Sequence, residues 1–134
     1  MKPASILVVD DDADTADSLV WILENAGYSA KAVYNAAAAL TAAKETAPRL
    51  VFIDAAMPNM HGFALAKELR QLPGMADAVL VCFTGYTGAE YERQARDSGC
   101  DRFIIKPADP THILNIAREV TETGKLSELG ENPA

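Results

Sequence analysis

Five short apolar, β-rich runs divide the chain: Ser5–Val9, Ser29–Val33, Leu50–Ile53, Val79–Phe83 and Arg102–Ile105. A helical pattern lies between each pair, and this alternation limits the fold more than any other feature. Strands separated by a helix cannot close a tight hairpin; they lie parallel, joined by a crossover. Right-handed crossovers then place helices on both faces of one sheet. The expected architecture is α/β, five β-α units in a doubly wound, five-stranded parallel sheet.

The helical segments carry their own start and stop signals. Ala16, Leu19, Val20 and Leu23 follow the spacing of a buried stripe, and Gly27 supplies a stop. Asn35 is placed to cap an alanine-rich helix that ends before Pro48. Phe63–Leu72 is amphipathic and halts at Pro73-Gly74, while Gly88–Ser98 is helical but poor in large apolar groups. Asp109 is an N-cap followed by proline at the first helical position, and Ile113, Ile116, Ala117 and Val120 form the stripe after it. Residues 1–123 are expected to form the domain, and residues 124–134 a flexible tail.

A chain of 134 residues with 49% hydrophobic content can bury one core without metal or disulfide staples. The net charge of −7 and the lack of a Lys/Arg cluster argue against direct nucleic-acid binding. No apolar run is long enough to span a membrane, and the N-terminus lacks a signal-peptide core, so a cytoplasmic location is expected. Cys82 and Cys100 have no metal-ligand partners nearby in sequence and read as reduced thiols.

The chemistry gathers at the ends of the strands. Strand one runs into Asp10-Asp11-Asp12, strand three into Asp54, strand four into Thr84, and strand five into Lys106 and Pro107. In an open α/β sheet this edge is where ligands bind. Two carboxylates about 4 Å apart repel by roughly 4 kcal/mol at a surface-like dielectric. Three acids there call for a cation, and an oxygen-only donor set suits Mg²⁺ (or Mn²⁺), which also binds phosphate.

Four segments in this order and spacing carry a family resemblance: "ILVVDDD" (Ile6–Asp12), "LVFIDAAMPNMHG" (Leu50–Gly62), "VCFTGY" (Val81–Tyr86) and "DRFIIKP" (Asp101–Pro107). The chain resembles the receiver domains of two-component response regulators, from Ser5 to Glu122. The stretch from Phe83 to Pro110 looks most like receivers that work with hybrid histidine kinases. The resemblance implies a flavodoxin-like fold with strand order 2-1-3-4-5. It implies that Asp54 is the phosphoacceptor, taking its phosphoryl group from a sensor histidine kinase, a histidine phosphotransfer protein or a small phosphodonor. By the same resemblance Asp10, Asp11, Asp54 and the Ala56 carbonyl would bind Mg²⁺. Thr84 and Lys106 would hold phosphoryl oxygens, and the Lys106–Pro107 peptide would be cis. Thr84 and Phe103 would be switch residues, changing the face around helix 4, strand 5 and helix 5 that a downstream protein reads. Such a domain catalyses only its own phosphorylation and dephosphorylation, and no output domain follows in this sequence.

Several positions depart from the family pattern. His61 stands where an aspartate is usual and is expected to cap the next helix less well. Gly85 replaces a frequent alanine. Ala56 is small and Tyr86 is large; the two flank the route of an attacking water and are expected to tune the lifetime of the phosphoryl group.

Three other readings compete. Asp10, Asp12 and Asp14 open like an EF-hand loop, but Thr15 and Trp21 occupy the positions that need glycine and glutamate. A haloacid-dehalogenase-like phosphatase would use Asp10 as nucleophile and Asp12 as acid/base, but the late acids of this chain lie in helices or the tail. A pseudo-receiver would bind partners without taking phosphate, against which stand the intact Asp11, Asp54, Thr84 and Lys106.

Overall fold

The computed structural model describes residues 5–57, 60–85, 89–106 and 109–123. Elements follow in the order β1 (Ser5–Val9), α1 (Ala13–Asn25), β2 (Ser29–Val33), α2 (Ala36–Thr46), β3 (Leu50–Asp54), α3 (Gly62–Gln71), β4 (Val79–Thr84), α4 (Ala89–Asp97), β5 (Arg102–Ile105) and α5 (Pro110–Thr123). The strands form one parallel sheet in the order β2-β1-β3-β4-β5, the expected doubly wound, flavodoxin-like arrangement. Tyr86, Gly88, Pro107 and the tail at 124–134 lie outside the described residues.

The two-residue period of the strands builds two cores. Ile6, Val8, Leu50, Phe52, Val79, Val81, Phe83 and Ile104 pack with α1 and α5 on one face. Leu7, Val9, Val51, Ile53, Leu80, Cys82 and Phe103 pack with α2, α3 and α4 on the other. The β3 and β4 strands are buried throughout, as a sheet covered on both faces requires. The α5 stripe is the one expected, with Ile113, Ile116, Ala117 and Val120 all buried. In α1 only Ala16 and Leu23 are fully buried; Leu19 and Val20 pack on the core from its margin. Cys82 and Cys100 are buried free thiols. Among the described residues no helix is long and apolar enough to cross a membrane.

Helix starts are capped by short polar side chains. Asp12 Oδ1 accepts from the backbone N–H of Asp14 at 3.1 Å, Asn35 Oδ1 from Ala38 at 2.8 Å, and Asp109 Oδ1 from Thr111 at 2.9 Å. His61 also caps: its Nδ1 accepts from the Phe63 N–H at 3.1 Å, and the ring meets the Phe63 ring edge-on at 4.7 Å. A ring nitrogen thus serves here in place of a carboxylate oxygen, with the aromatic contact beside it. Truncation to His61→Ala should cost about 1 kcal/mol, read as a lower urea midpoint, and His61→Asp should restore most of it. Equal midpoints for His61→Ala and the parent would rule the cap out.

Two strand ends differ from the sequence reading. Asp54 and Thr84 belong to their strands rather than following them, because the ladder continues through them: Asp54 pairs with Phe83, and Thr84 with Ile105. Polar residues there look like loop in sequence, yet a parallel neighbour on one side holds each of them extended, β4 for Asp54 and β5 for Thr84.

Candidate functional site

Four strands deliver the expected residues to one edge of the sheet. Asp10 follows β1, Asp54 ends β3, Thr84 ends β4 and Lys106 follows β5. The backbone fixes each of them. Asp10 N–H donates to the Val33 carbonyl at 3.2 Å, Ala55 N–H to Phe83 at 2.8 Å, and Lys106 N–H to Thr84 at 2.8 Å. Carboxylate oxygens of Asp10, Asp11 and Asp54 all lie within 4.8 Å of one another. Lys106 Nζ lies 2.9 Å from Asp54 Oδ1.

The three consecutive aspartates after β1 divide the work. Asp10 is 3% exposed and its Oδ1 accepts from the Asp12 N–H at 2.9 Å. Asp11 is exposed beside the opening. Asp12 turns away and caps α1. Asp10 and Asp11 therefore join Asp54 in the cluster, while Asp12 is engaged as the cap of α1.

Charge at the site is unbalanced. Burial pushes the Asp10 carboxyl up to about 6, with the Asp12 N–H pulling back and the charges of Asp54 and Asp11 pushing further; Lys106 offsets them in part. Burial also disfavours the Lys106 ammonium, but its bond to Asp54 and the fields of Asp54, Asp10 and Asp11 outweigh that, so its pKa is raised. One lysine thus faces three carboxyl groups. The donor set is oxygen only, one acid is held short of full ionisation near neutrality, and the cluster opens to solvent at Asp11. These features fit a hard divalent cation.

The pH dependence has a definite sign. Asp10 holds its proton to about pH 6 in the fold but only to about 3.8 when unfolded. Folding therefore takes up a proton between these values, and stability of the metal-free protein should fall as pH rises through that window. A shift of two units corresponds to about 3 kcal/mol, which solvent screening at an open edge reduces to about 1–2. Asp10→Asn, which keeps an acceptor for the Asp12 N–H, should raise the metal-free stability at pH 7 by about that amount, read as a higher urea midpoint. A lowered midpoint would mean that Asp10 is stabilised there as an anion.

Gly62 is a site residue that sequence reading passes over. A Cβ on it would sit 2.5 Å from the Asp54 carbonyl oxygen and 2.7 Å from Ala55 Cα, and its N–H donates to the Ala55 carbonyl at 2.8 Å. The start of α3 therefore rests directly on the Asp54–Ala55 peptide. The signal was present as a glycine after the cap, but only the fold reveals what it touches. Ala56 is exposed at the mouth of the site, with its N–H 3.4 Å from Asp54 Oδ1. Phe103 is buried in the α3–α4 core, 7% exposed. Beside Lys106 an open groove of about 660 Å³ runs along α1, lined by Thr15, Ser18, Leu19, Ile22 and Phe83.

Comparison with known proteins gives a consistent family. The family described as "Response regulator receiver domain" matches residues 6–118. A 14.6 kDa protein from the sodA1 3′ region of Leptolyngbya boryana is 36% identical over 114 residues, covering 85% of this chain and 87% of that protein. The DNA-binding response regulator MtrA of Mycobacterium tuberculosis H37Rv is 34% identical over 109 residues, covering 81% of this chain and 46% of MtrA. The chain thus spans about half the length of that relative. A CheY-like receiver domain protein from Methanospirillum hungatei superposes with a TM-score of 0.84 at 28% identity, covering 92% of this chain and 97% of the other.

Proposed function

The chain belongs to the response-regulator receiver family, and on that premise we propose that Asp54 is the phosphoacceptor of a two-component relay. One observation carries the reading: a buried carboxylate, 4% exposed, held at the strand end by Lys106 at 2.9 Å and clustered with two further acids. A carboxylate is a competent nucleophile toward phosphorus. An Asp54 oxygen bonds to phosphorus as the P–N bond of a donor phosphohistidine breaks, and the imidazole leaves. Catalysis here is positioning and charge neutralisation. Asp10, Asp11, Asp54 and the Ala56 carbonyl would hold Mg²⁺ (or Mn²⁺), which would supply positive charge opposite the phosphoryl oxygens.

The chain's own residues then account for the rest. Lys106, already beside Asp54, passes from the carboxylate to a phosphoryl oxygen, and the Thr84 hydroxyl approaches another. The apolar groove along α1 gives a donor kinase or phosphotransfer protein a surface beside the site. Phosphorylation shifts the face made by α4, β5 and α5, with Phe103 as a switch residue, and a downstream protein reads the change. Ala56 leaves the mouth of the site open, which with Tyr86 sets how readily water removes the phosphoryl group. In this reading the domain catalyses only its own phosphorylation and dephosphorylation.

The test is intact mass. Incubation with Mg²⁺ and acetyl phosphate should add one phosphoryl group, and a chelator should prevent it. An unchanged mass with Mg²⁺ present would instead favour an interaction module that never takes phosphate.

A further inference from the structure

Arg70, in the last turn of α3, contacts five groups from two separate connections. Its Nη1 lies 3.4, 3.0 and 2.5 Å from the carbonyl oxygens of Met75, Ala76 and Ala78 in the α3–β4 connection. Its Nη2 donates to the Gly99 carbonyl at 2.6 Å and to Asp101 Oδ2 at 2.9 Å in the α4–β5 turn. The same Asp101 oxygen accepts from the Leu80 N–H at 2.9 Å, and the Asp101 N–H donates to the Leu80 carbonyl at 2.8 Å. One guanidinium therefore joins the end of α3, the approach to β4 and the exit of α4. A planar fork with five donors can do this; an ammonium cannot reach both sides at once.

The joint lies at the far end of α4 from the site. Thr84 ends β4 at the carboxylate edge, and the chain passes from there into the start of α4. The nine-residue helix is about 13 Å long and returns to the opposite edge, where the turn meets Leu80. Buried anchors also sit toward this end: Ala95 and Ser98 are buried, Ser98 Oγ donates to the Ala95 carbonyl at 2.7 Å, and the Cys100 N–H donates to the same carbonyl at 3.1 Å. Gly99, at φ +100°, takes the left-handed conformation that the turn uses beside Arg70.

We propose that Arg70 is a positioning residue that pins the exit of α4 to the α3–β4 connection, so that phosphorylation turns α4 about its C-terminal end instead of displacing the whole helix. This rests on the receiver reading above. The pull from the phosphoryl group enters α4 from Thr84, while the other end is held by contacts that do not touch the site.

Hydrogen exchange on the full chain, with and without acetyl phosphate and Mg²⁺, tests it. Intact mass is read first. If no phosphoryl group is gained, the receiver reading fails and the pivot fails with it. If it is gained, exchange should change across 85–95 in the parent and stay constant at 98–101. In Arg70→Lys, which keeps the charge but loses the fork, the change should spread into 98–101, with resting exchange there about tenfold faster. Arg70→Met should spread it further, and Arg70→Lys keeps the test readable should Arg70→Met not fold. A parent response that already extends through 98–101, or an Arg70→Lys response that stops where the parent's does, would overturn the pivot while leaving the phosphoacceptor reading intact.

Discussion

Asp54→Asn is expected to take up no phosphoryl group from acetyl phosphate under conditions where the parent chain gains one, and to remain folded. The amide oxygen can still accept from the Ala56 N–H and from Lys106, which lie 3.4 and 2.9 Å from Oδ1. The strand ladder through Asp54↔Phe83 does not involve the side chain. What is lost is the anionic nucleophile. The variant also removes one of the three clustered carboxylates, so its affinity for Mg²⁺ should fall as well. Circular dichroism checks folding and intact mass checks uptake. Undiminished uptake by Asp54→Asn would move the nucleophile elsewhere, with Asp10 the first candidate.

The second large effect is expected at Gly62, which carries no chemistry of its own. An alanine Cβ would meet the Asp54 carbonyl oxygen at 2.5 Å and Ala55 Cα at 2.7 Å, both backbone and neither able to rotate away. The clash must push α3 off the strand or bend the Asp54–Ala55 peptide. Gly62→Ala should cost about 2–3 kcal/mol, read as a lower urea midpoint. Because the displaced peptide carries Asp54 and leads to the Ala56 carbonyl, phosphoryl uptake by the folded fraction should slow by about 10–100-fold. A change in stability without a change in rate would show that α3 yields and the Asp54–Ala55 peptide does not.

Much of this molecule can be read directly from its residues. Apolar runs between helical patterns point to parallel strands when every crossover is a helix, although β2 (SAKAV) is a weak run with alternating exposure, and the strand order came from the family resemblance. The site follows too, since Asp10, Asp54, Thr84 and Lys106 each stand where an apolar run stops. Contacts across long sequence separations are different. Nothing near Arg70 indicates that its fork spans to Gly99 and Asp101, because a side chain bonded to backbone carbonyls leaves no pattern in the residues it meets. By residue type Asp12 matches Asp10 and Asp11, and only the family resemblance set it apart; its use as the cap of α1 shows in the folded turn. His61 is a rare cap by type, and its ring contact with Phe63 needs the folded turn to exist.

Where the phosphoryl group goes decides most directly whether Asp54 is the nucleophile. Digestion of the phosphorylated chain with trypsin separates the segment 50–67, which contains Asp54, from the N-terminal segment that contains Asp10 and Asp11. Peptide mass mapping should place the added phosphoryl group on the 50–67 segment, at Asp54, and nowhere else. A phosphoryl group on the N-terminal segment, at Asp10, would contradict the account and point to the phosphatase-like alternative.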